Sequence, residues 1–268
     1  MADRVEWNAE HYHEVSRPHE VWGAGVLDRI PDRDISVAID AGCGTGKITR
    51  DLLERLPTAT VYALDVSPAM LAVAERELGP IYGDRVRFRH ADLISVTPDQ
   101  IGPAADLIFS TATFHWVRDH DLLFRRLFAL LQPGGQVVAQ CGGGPNIERL
   151  RGRVDTLMRS PEFAPHFRDW VDSWYFAGAE ETADRLASAG FVDVRTGVEF
   201  HPAQMPDADE YRSFVSTVIL REQLARLPDD GLRSTFLDAL VSQAAMDDPP
   251  YELDYWRLNL MAARPRRA

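Results

Sequence analysis

Cysteine is nearly missing from this chain: Cys43 and Cys141 are the two among 268 residues. Two thiols cannot make the multi-bridge framework of a disulfide-stapled domain. No cluster of Cys and His has the spacing of a metal site, so no metal is expected. Positive charge is short as well. Lys and Arg number 29 against 41 Asp and Glu, a formal net charge of -12. Phosphate binding draws on a basic surface, so nucleic acid is not an expected partner. The one strongly basic run, Arg264, Arg266 and Arg267, lies at the carboxyl end and reads as a solvated tail. Also lacking is any apolar run long enough to span a bilayer. The opening MADRVEWNAEHYHE is neither a secretory signal nor an Arg-rich transit peptide, which makes a cytoplasmic protein without a membrane partner the expectation. Internal repeats and low-complexity linkers are absent too. What is present is ordinary for a globular protein, with 45% hydrophobic and 26% charged residues, and the length suits one large α/β domain with an inserted or appended piece.

The richest local signal is Val37 to Lys47, VAIDAGCGTGK. Val37, Ala38 and Ile39 suit a buried strand with Asp40 at its carboxyl end. Glycines follow at 42, 44 and 46, and helix-forming sequence runs from Ile48 to Leu56. Strand, glycine turn and helix amino terminus is how an α/β fold offers backbone N–H groups to a ligand at the carboxyl edge of its sheet. Spacing selects the ligand. A Walker loop needs glycine five positions before its Gly-Lys pair and Ser or Thr after it, but Ala41 and Ile48 stand there. A dinucleotide fingerprint wants its third glycine where Lys47 stands, and Gly46 comes one position early. An NAD-dependent oxidoreductase is therefore a secondary alternative. The alternating run Thr60 to Val66 ends at Asp65, 19 positions after Gly46, close to the roughly 20-residue offset at which a strand-end acid takes ribose hydroxyls. Ser67 and Pro68 read as helix N-cap and first helical residue. Met70 then falls on the first turn, facing the crevice or filling the core. Cys43 reads as small filler in the loop.

With the E/D-x-G-x-G-x-G arrangement remaining, the sequence resembles the class I S-adenosylmethionine-dependent methyltransferases, whose first motif Asp40, Gly42, Gly44 and Gly46 match residue for residue. Trp7-Asn8, Tyr12, Arg17-Pro18, the run LDVSPAM, the loop ending in His115-Trp116 and LQPGG make it similar, over nearly the whole chain, to the trans-aconitate methyltransferase family. The resemblance implies S-adenosylmethionine as cofactor and S-adenosylhomocysteine as product. It implies that Asp40, Gly42, Cys43, Gly44 and Gly46 surround the amino acid part, and that Asp65 and Val66 hold the sugar. Met70, Ala91, Asp92 and Leu93 would meet the adenine. An arm carrying Trp7 and Tyr12 would fold over the cofactor, where excluding water favours methyl transfer. The implied reaction is methyl ester formation on a carboxylate.

The rest of the chain keeps an α/β rhythm, with strands at Val86 to Asp92, Asp106 to Thr111, Gln136 to Cys141 and Phe191 to Phe200 and a final alternating run Tyr255 to Arg264. The expected architecture is a seven-stranded, mostly parallel, doubly wound sheet with a terminal reversed pair and a helical cap, for which the methyltransferase resemblance implies the order 3-2-1-4-5-7-6. Residues 1–30 are expected to form a closing arm, 31–144 the cofactor-binding core, 145–178 and 204–250 the cap that meets the acceptor, and 179–203 with 251–268 the last helix and strands. Leu150, Val154 and Leu157 are expected on one helical face, and helices over about 209–226 and 229–245. The protein is expected to be a monomer or homodimer. Ser110, Thr111 and His115, at the tip of the fourth strand, should look at the transferred methyl group.

A carboxylate acceptor is ionised at neutral pH and needs no base. It needs a clamp, preferably an arginine fork, and Arg17, Arg149, Arg153 and Arg221 are the candidates in that order. A phenol, enol or amine acceptor would need a base, with His115 leading and His11 second. His115 as a hydrogen-bond donor or as a loop residue stays open. Trp170, Trp174, Tyr175, Phe176 and Phe214 suggest either an acceptor with apolar bulk or a hydrophobic seam.

Overall fold

A computed structural model describes residues 9, 10, 13 and 17–267. The chain divides into two compact units. The first holds residues 17–144, 173–199 and 257–268 and carries the sheet; the second holds 145–172 and 200–256 with the described residues before 17.

The sheet strands are β1 (Val37–Ala41), β2 (Thr60–Asp65), β3 (Val86–His90), β4 (Ala105–Thr111), β5 (Leu131–Gly142), β6 (Val192–Phe200) and β7 (Trp256–Ala263). Their spatial order is β3-β2-β1-β4-β5-β7-β6, the order expected. The β1, β2, β3, β4 and β5 pairings are parallel, and β5 pairs with β7 antiparallel. Strand β1 is buried along its last four residues and β4 nearly throughout, because helices cover both faces of a parallel sheet. Side chains alternate between two cores. Ile39, Ala41, Leu64 and Ile108 join one, and Ala38, Val61, Ala63, Leu107 and Phe109 the other.

The α-helices among the described residues are α1 (Arg17–Leu27), α2 (Lys47–Arg55), α3 (Pro68–Tyr82), α4 (Pro98–Ile101), α5 (His120–Leu130), α6 (Glu148–Met158), α7 (Ala179–Ser188), α8 (Ala208–Phe214), α9 (Arg221–Arg226) and α10 (Asp230–Ala244). Caps set their starts: Ser67 Oγ accepts from the Met70 N–H at α3, and the Asp119 carboxylate accepts from the Leu122 N–H at α5. A short ribbon pairs Ala203–Gln204 with Glu252–Leu253.

Three local departures have physical reasons. The segment expected as one helix over 209–226 is broken by a π-helical turn, Val215–Ile219, where three β-branched valines and isoleucines in five residues favour α-helix weakly. On α6 the buried set is Leu150, Val154 and Met158 rather than Leu157, so the stripe runs at four-residue spacing. The Pro133-Gly134-Gly135 turn lies inside β5, whose register against β4 shifts between Ala105 and Leu107.

Among the described residues, no helix is long and apolar enough to cross a membrane, and no three His, Cys, Asp or Glu side chains gather as metal ligands would.

Candidate active site

At the carboxyl edge of β1 the chain turns on itself. The N–H groups of Gly42 and Cys43 both donate to the Leu64 carbonyl, at 2.8 and 2.9 Å, which docks the loop on β2. Gly42 has φ +88°, and a Cβ there would lie 2.1–2.7 Å from the Thr113 side chain. Thr113 is fixed in turn, its hydroxyl sharing a proton between the carbonyls of Thr111 at 2.9 Å and Gly42 at 3.2 Å. Gly44 is different. Its φ is +54°, yet a Cβ would meet nothing within 4 Å, so bare backbone faces open space on that side of the loop. Gly46 caps α2 in the left-handed region. Cys43 is buried, and burial first, then Asp65 and Asp40, pushes its thiol well above the usual range. It is filler, as expected.

Asp65 ends β2 with its two oxygens divided between two loops: Oδ2 accepts from the Gly44 N–H and Oδ1 from the Ser67 N–H, both at 2.9 Å. The side chain is half-buried. Val66 beside it is exposed, and its carbonyl meets His90 Nε2 at 3.0 Å. Met70 is 3% exposed. Asp92 is half-buried, its Oδ1 accepting from the Ile94 N–H at 3.2 Å, while Ala91 donates its N–H to the Asp65 carbonyl and Leu93 is buried in the core.

Asp40 points the other way, into the interior against α2. It is 2% exposed, and its Oδ2 accepts from the Thr49 hydroxyl at 2.7 Å. Burial is the largest influence and pushes its carboxyl up to about 7; the Thr49 hydrogen bond opposes this and the Asp65 charge adds to it. The folded-state value lies above the ordinary 3.8, so this group favours folding while protonated, fully below about pH 4, and that contribution is lost as pH rises through about 7. Thermal melting should therefore show Asp40→Asn gaining on the wild type by roughly 2–3 kcal/mol between pH 5 and pH 8. A pH-independent difference would mean that Asp40 is ionised in the folded protein.

Ser110 requires a correction. It is 1% exposed, and its hydroxyl donates to the Ala41 carbonyl at 2.6 Å. It ties β4 to β1 and does not face the sheet edge; Thr111, one residue on, is half-buried at the tip. Beyond it a 3-10 turn, Phe114–Trp116, carries His115. His115 is 9% exposed and its Nδ1 accepts from the Gly142 N–H at 3.3 Å, which leaves the proton of the neutral ring on Nε2. The ring stacks on Phe176 at 5.7 Å, Trp174 stacks on Phe176 at 5.8 Å, and Trp174 meets Trp116 edge-on at 6.0 Å. The Tyr175 N–H closes the cluster on the His115 carbonyl at 2.8 Å. The aromatic density at 174–176 was legible in the sequence, its pairing with His115 was not, and these residues fold with the sheet unit.

Three of the arginines ranked as clamps are engaged elsewhere. In the helical unit Arg153 pairs with Asp247 at 2.9 Å, and Arg149 reaches Glu252 at 3.2 Å and Asp247 at 3.7 Å. Each forms an internal ion pair in place of an open fork. Arg221 pairs with Glu222 at 3.2 Å. Arg17 opens α1, but its side chain lies outside the described residues, as do Trp7, His11 and Tyr12. Reading the sequence missed a polar group on β5 and β7: Arg257 Nε donates to Gln140 Oε1 at 3.3 Å, and Gln140 Nε2 donates to Asn259 Oδ1 at 2.8 Å. The only signal was polar residues inside two otherwise apolar strands.

Comparison with known proteins fits this arrangement. A family profile described as a methyltransferase domain matches residues 39–137. The trans-aconitate 2-methyltransferase of Methylobacterium radiotolerans is 38% identical over 243 residues, 88% of this chain and 87% of that protein. The protein of the same name from Delftia acidovorans is 34% identical over 74% of this chain and 75% of its own length. Among solved structures, the YcgJ protein from Bacillus subtilis aligns with a TM-score of 0.62 at 16% identity, covering 93% of this chain and all of that one. Haemonchus contortus phosphoethanolamine N-methyltransferase 2 in complex with S-adenosyl-L-methionine aligns at 0.57 and 21% identity, over 92% of this chain and 53% of that one.

Proposed function

The chain belongs to the class I S-adenosylmethionine-dependent methyltransferases, in the family of the trans-aconitate 2-methyltransferases, and from that premise we propose that its acceptor is a small carboxylic acid, which it converts to a methyl ester. The likeness to the Methylobacterium radiotolerans protein over most of both chains carries this reading. S-adenosylmethionine, the cofactor of the family, supplies a methyl group on a sulfonium. The open backbone face at Gly44 and the half-buried carboxylate of Asp65 at the end of β2 fit such a group. A diphosphate would instead meet the Asp65 carboxylate.

In this reading the backbone of Gly42, Cys43, Gly44 and Gly46 receives the amino acid end. Asp65, with Val66 beside it, takes the sugar hydroxyls. Met70, Ala91, Asp92 and Leu93 border the adenine, and Thr111 lies at the strand tip where the methyl group is passed. Trp7, Tyr12 and Arg17 belong to the arm that excludes water, and Arg17 remains a clamp for the acceptor. Asp40 acts from behind the loop: its charge state, sensitive to pH near neutrality, biases the site toward a cationic amine. The helical segments of 145–172 and 200–256 are assigned to acceptor selection.

A carboxylate asks nothing of a base, and His115 Nδ1 accepts from a backbone N–H, which puts the ring proton on Nε2. His115 thus acts as a positioned donor. A screen with methyl-labelled cofactor against aliphatic, aromatic and tricarboxylic acids, phenols and amines is expected to label acids, with the label released by mild alkali as an ester's would be. His115→Gln should keep activity within about tenfold, because removing a general base costs 10²–10⁴ and removing a donor much less. Labelling confined to phenols or amines, with loss beyond 10², would replace the carboxylate reading by one in which His115 is the base.

A further inference from the structure

We infer that His120, the first residue of α5, is a positioning residue for the reaction, fixing from behind the turn that presents His115; this rests on the reading of His115 as a donor to the acceptor. His120 is 2% exposed, and its ring reaches the chain on two sides of His115. On one side its Nε2 lies 3.0 Å from the Phe114 carbonyl, at the head of the 3-10 turn Phe114–Trp116. That carbonyl also accepts the Val117 N–H at 2.9 Å, so the ring grips the turn where it closes. On the other side the ring meets Tyr175 edge-on, with centroids 4.9 Å apart. Tyr175 is the residue whose N–H holds the His115 carbonyl at 2.8 Å. Phe124, one turn further along α5, packs on the ring at 5.5 Å. His115 is thus held at its own atoms by Gly142 and Tyr175, and its turn is held by His120.

A carbonyl can only accept, so His120 carries a proton on Nε2. The neutral ring then offers Nδ1 as an acceptor, and that atom is buried with no hydrogen-bond partner among the described residues. Packing does not account for such a group. Phe114 and Phe124 beside it are hydrocarbon and fully buried, and another ring of carbon would fill the site without burying an unanswered nitrogen. What the imidazole adds is one directed bond to the turn. It also stays neutral. Charging it would put a donor on Nδ1 where nothing accepts, at the amino end of α5 where the helix dipole opposes a cation. The charged groups that face it are Arg185 and Glu181 on α7 and Asp121 on α5. Arg185 already pairs with both acids, at 3.6 and 3.8 Å, and the Tyr175 hydroxyl donates to Glu181 at 3.0 Å. Burial lowers the pKa of the ring from its usual value; the Phe114 carbonyl opposes this and Arg185 adds to it. The ring therefore works as a fixed donor and not as a proton carrier.

The test uses the full-length enzyme, with trans-aconitate or the acid the labelling screen returns as acceptor. Replacing the ring by hydrocarbon in His120→Phe is expected to lower kcat about three- to tenfold, the range of one hydrogen bond, with S-adenosylhomocysteine affinity within twofold of wild type. His120→Gln, whose amide N–H can reach the Phe114 carbonyl, should restore kcat to within twofold. Because His120 acts through His115, the His120→Phe change made in a His115→Ala background should alter kcat less than twofold. Lost stability alone would act equally in both backgrounds, so an equal fall in both, or none in either, overturns the inference. If His120→Phe does not fold, His120→Asn decides. Its amide falls short of the carbonyl, and it should be at least threefold slower than His120→Gln; equal rates overturn the inference. Nitrogen-15 shifts of the wild-type ring should show His120 uncharged at pH 6.5 with its proton on Nε2, and a charged ring or a proton on Nδ1 overturns the inference as well. Unchanged kcat in His115→Ala removes the donor reading and this inference with it.

Discussion

Asp65→Ala is expected to weaken S-adenosylhomocysteine binding 10- to 100-fold or more, with a loss of folding stability of about 1–3 kcal/mol. The two effects have one origin. In the folded chain the carboxylate is already the acceptor for the N–H groups of Gly44 and Ser67, both at 2.9 Å. It therefore couples the glycine loop after β1 to the start of α3 after β2. Truncation leaves two backbone donors unanswered and frees the loop before any ligand arrives. It also removes the acceptor proposed for the sugar hydroxyls, and hydrogen bonds to a charged group contribute about 1.5–3 kcal/mol each. Asp65→Asn separates these contributions. Its single carbonyl oxygen can answer one of the two N–H groups, while its amide nitrogen opposes the other, so part of the stability should return and little of the affinity. Calorimetry and thermal melting of the two variants read out both quantities. Wild-type affinity in Asp65→Ala would show that the sugar is held elsewhere and that the acid serves the loops alone.

How much of this was legible in the sequence depends on how local the physics is. The turn after β1 is written in consecutive residues: a β-branched strand, alternating glycines and a helix former follow each other within about a dozen positions, and that is where the loop is. Asp65 was legible because a strand, its partner helix and the return strand have nearly constant lengths in α/β units. The same rhythm made the sheet parallel, while its strand order came with the resemblance to the methyltransferases. Ser110 was misread because the face it uses is settled by a one-residue step along β4, and its hydroxyl is claimed by a carbonyl on β1 that the sequence does not place. Arg149 and Arg153 looked available because their partners, Asp247 and Glu252, lie about a hundred positions away. Arg257 was overlooked for the converse reason. It sits in an apolar-looking strand, and only the antiparallel register of β7 on β5 brings it level with Gly142 and His115.

The glycine loop gives the second large effect, and it separates folding from ligand binding within three residues. Gly42→Val is expected to prevent folding at 37 °C or to lower the melting temperature by well over 10 °C. The new Cβ would fall 2.1 Å from Thr113 Oγ1 and 2.7 Å from its Cβ, in a backbone with φ +88°. A β-branched side chain there adds a conformational cost of about 1–2 kcal/mol or more to the clash, and Thr113 cannot yield without losing its hydrogen bonds to Thr111 and Gly42. Gly44→Ala meets the same kind of backbone, φ +54°, but open space around the Cβ. It should fold, cost roughly 1–2 kcal/mol in stability, and lose S-adenosylhomocysteine affinity by tenfold or more, because its methyl projects from the face assigned to the ligand. Combining Gly42→Ala with Thr113→Ala removes the two nearest colliding atoms, Oγ1 and Cγ2, leaving only the Cβ at 2.7 Å, and should recover more than the two single changes predict. A coupling of 0.5–3 kcal/mol is the usual range for contacting residues. Additive losses in that cycle would mean that conformation alone demands glycine at 42. Intact ligand affinity in Gly44→Ala would place the cofactor away from the loop, leaving the three glycines as an ordinary tight turn between β1 and α2.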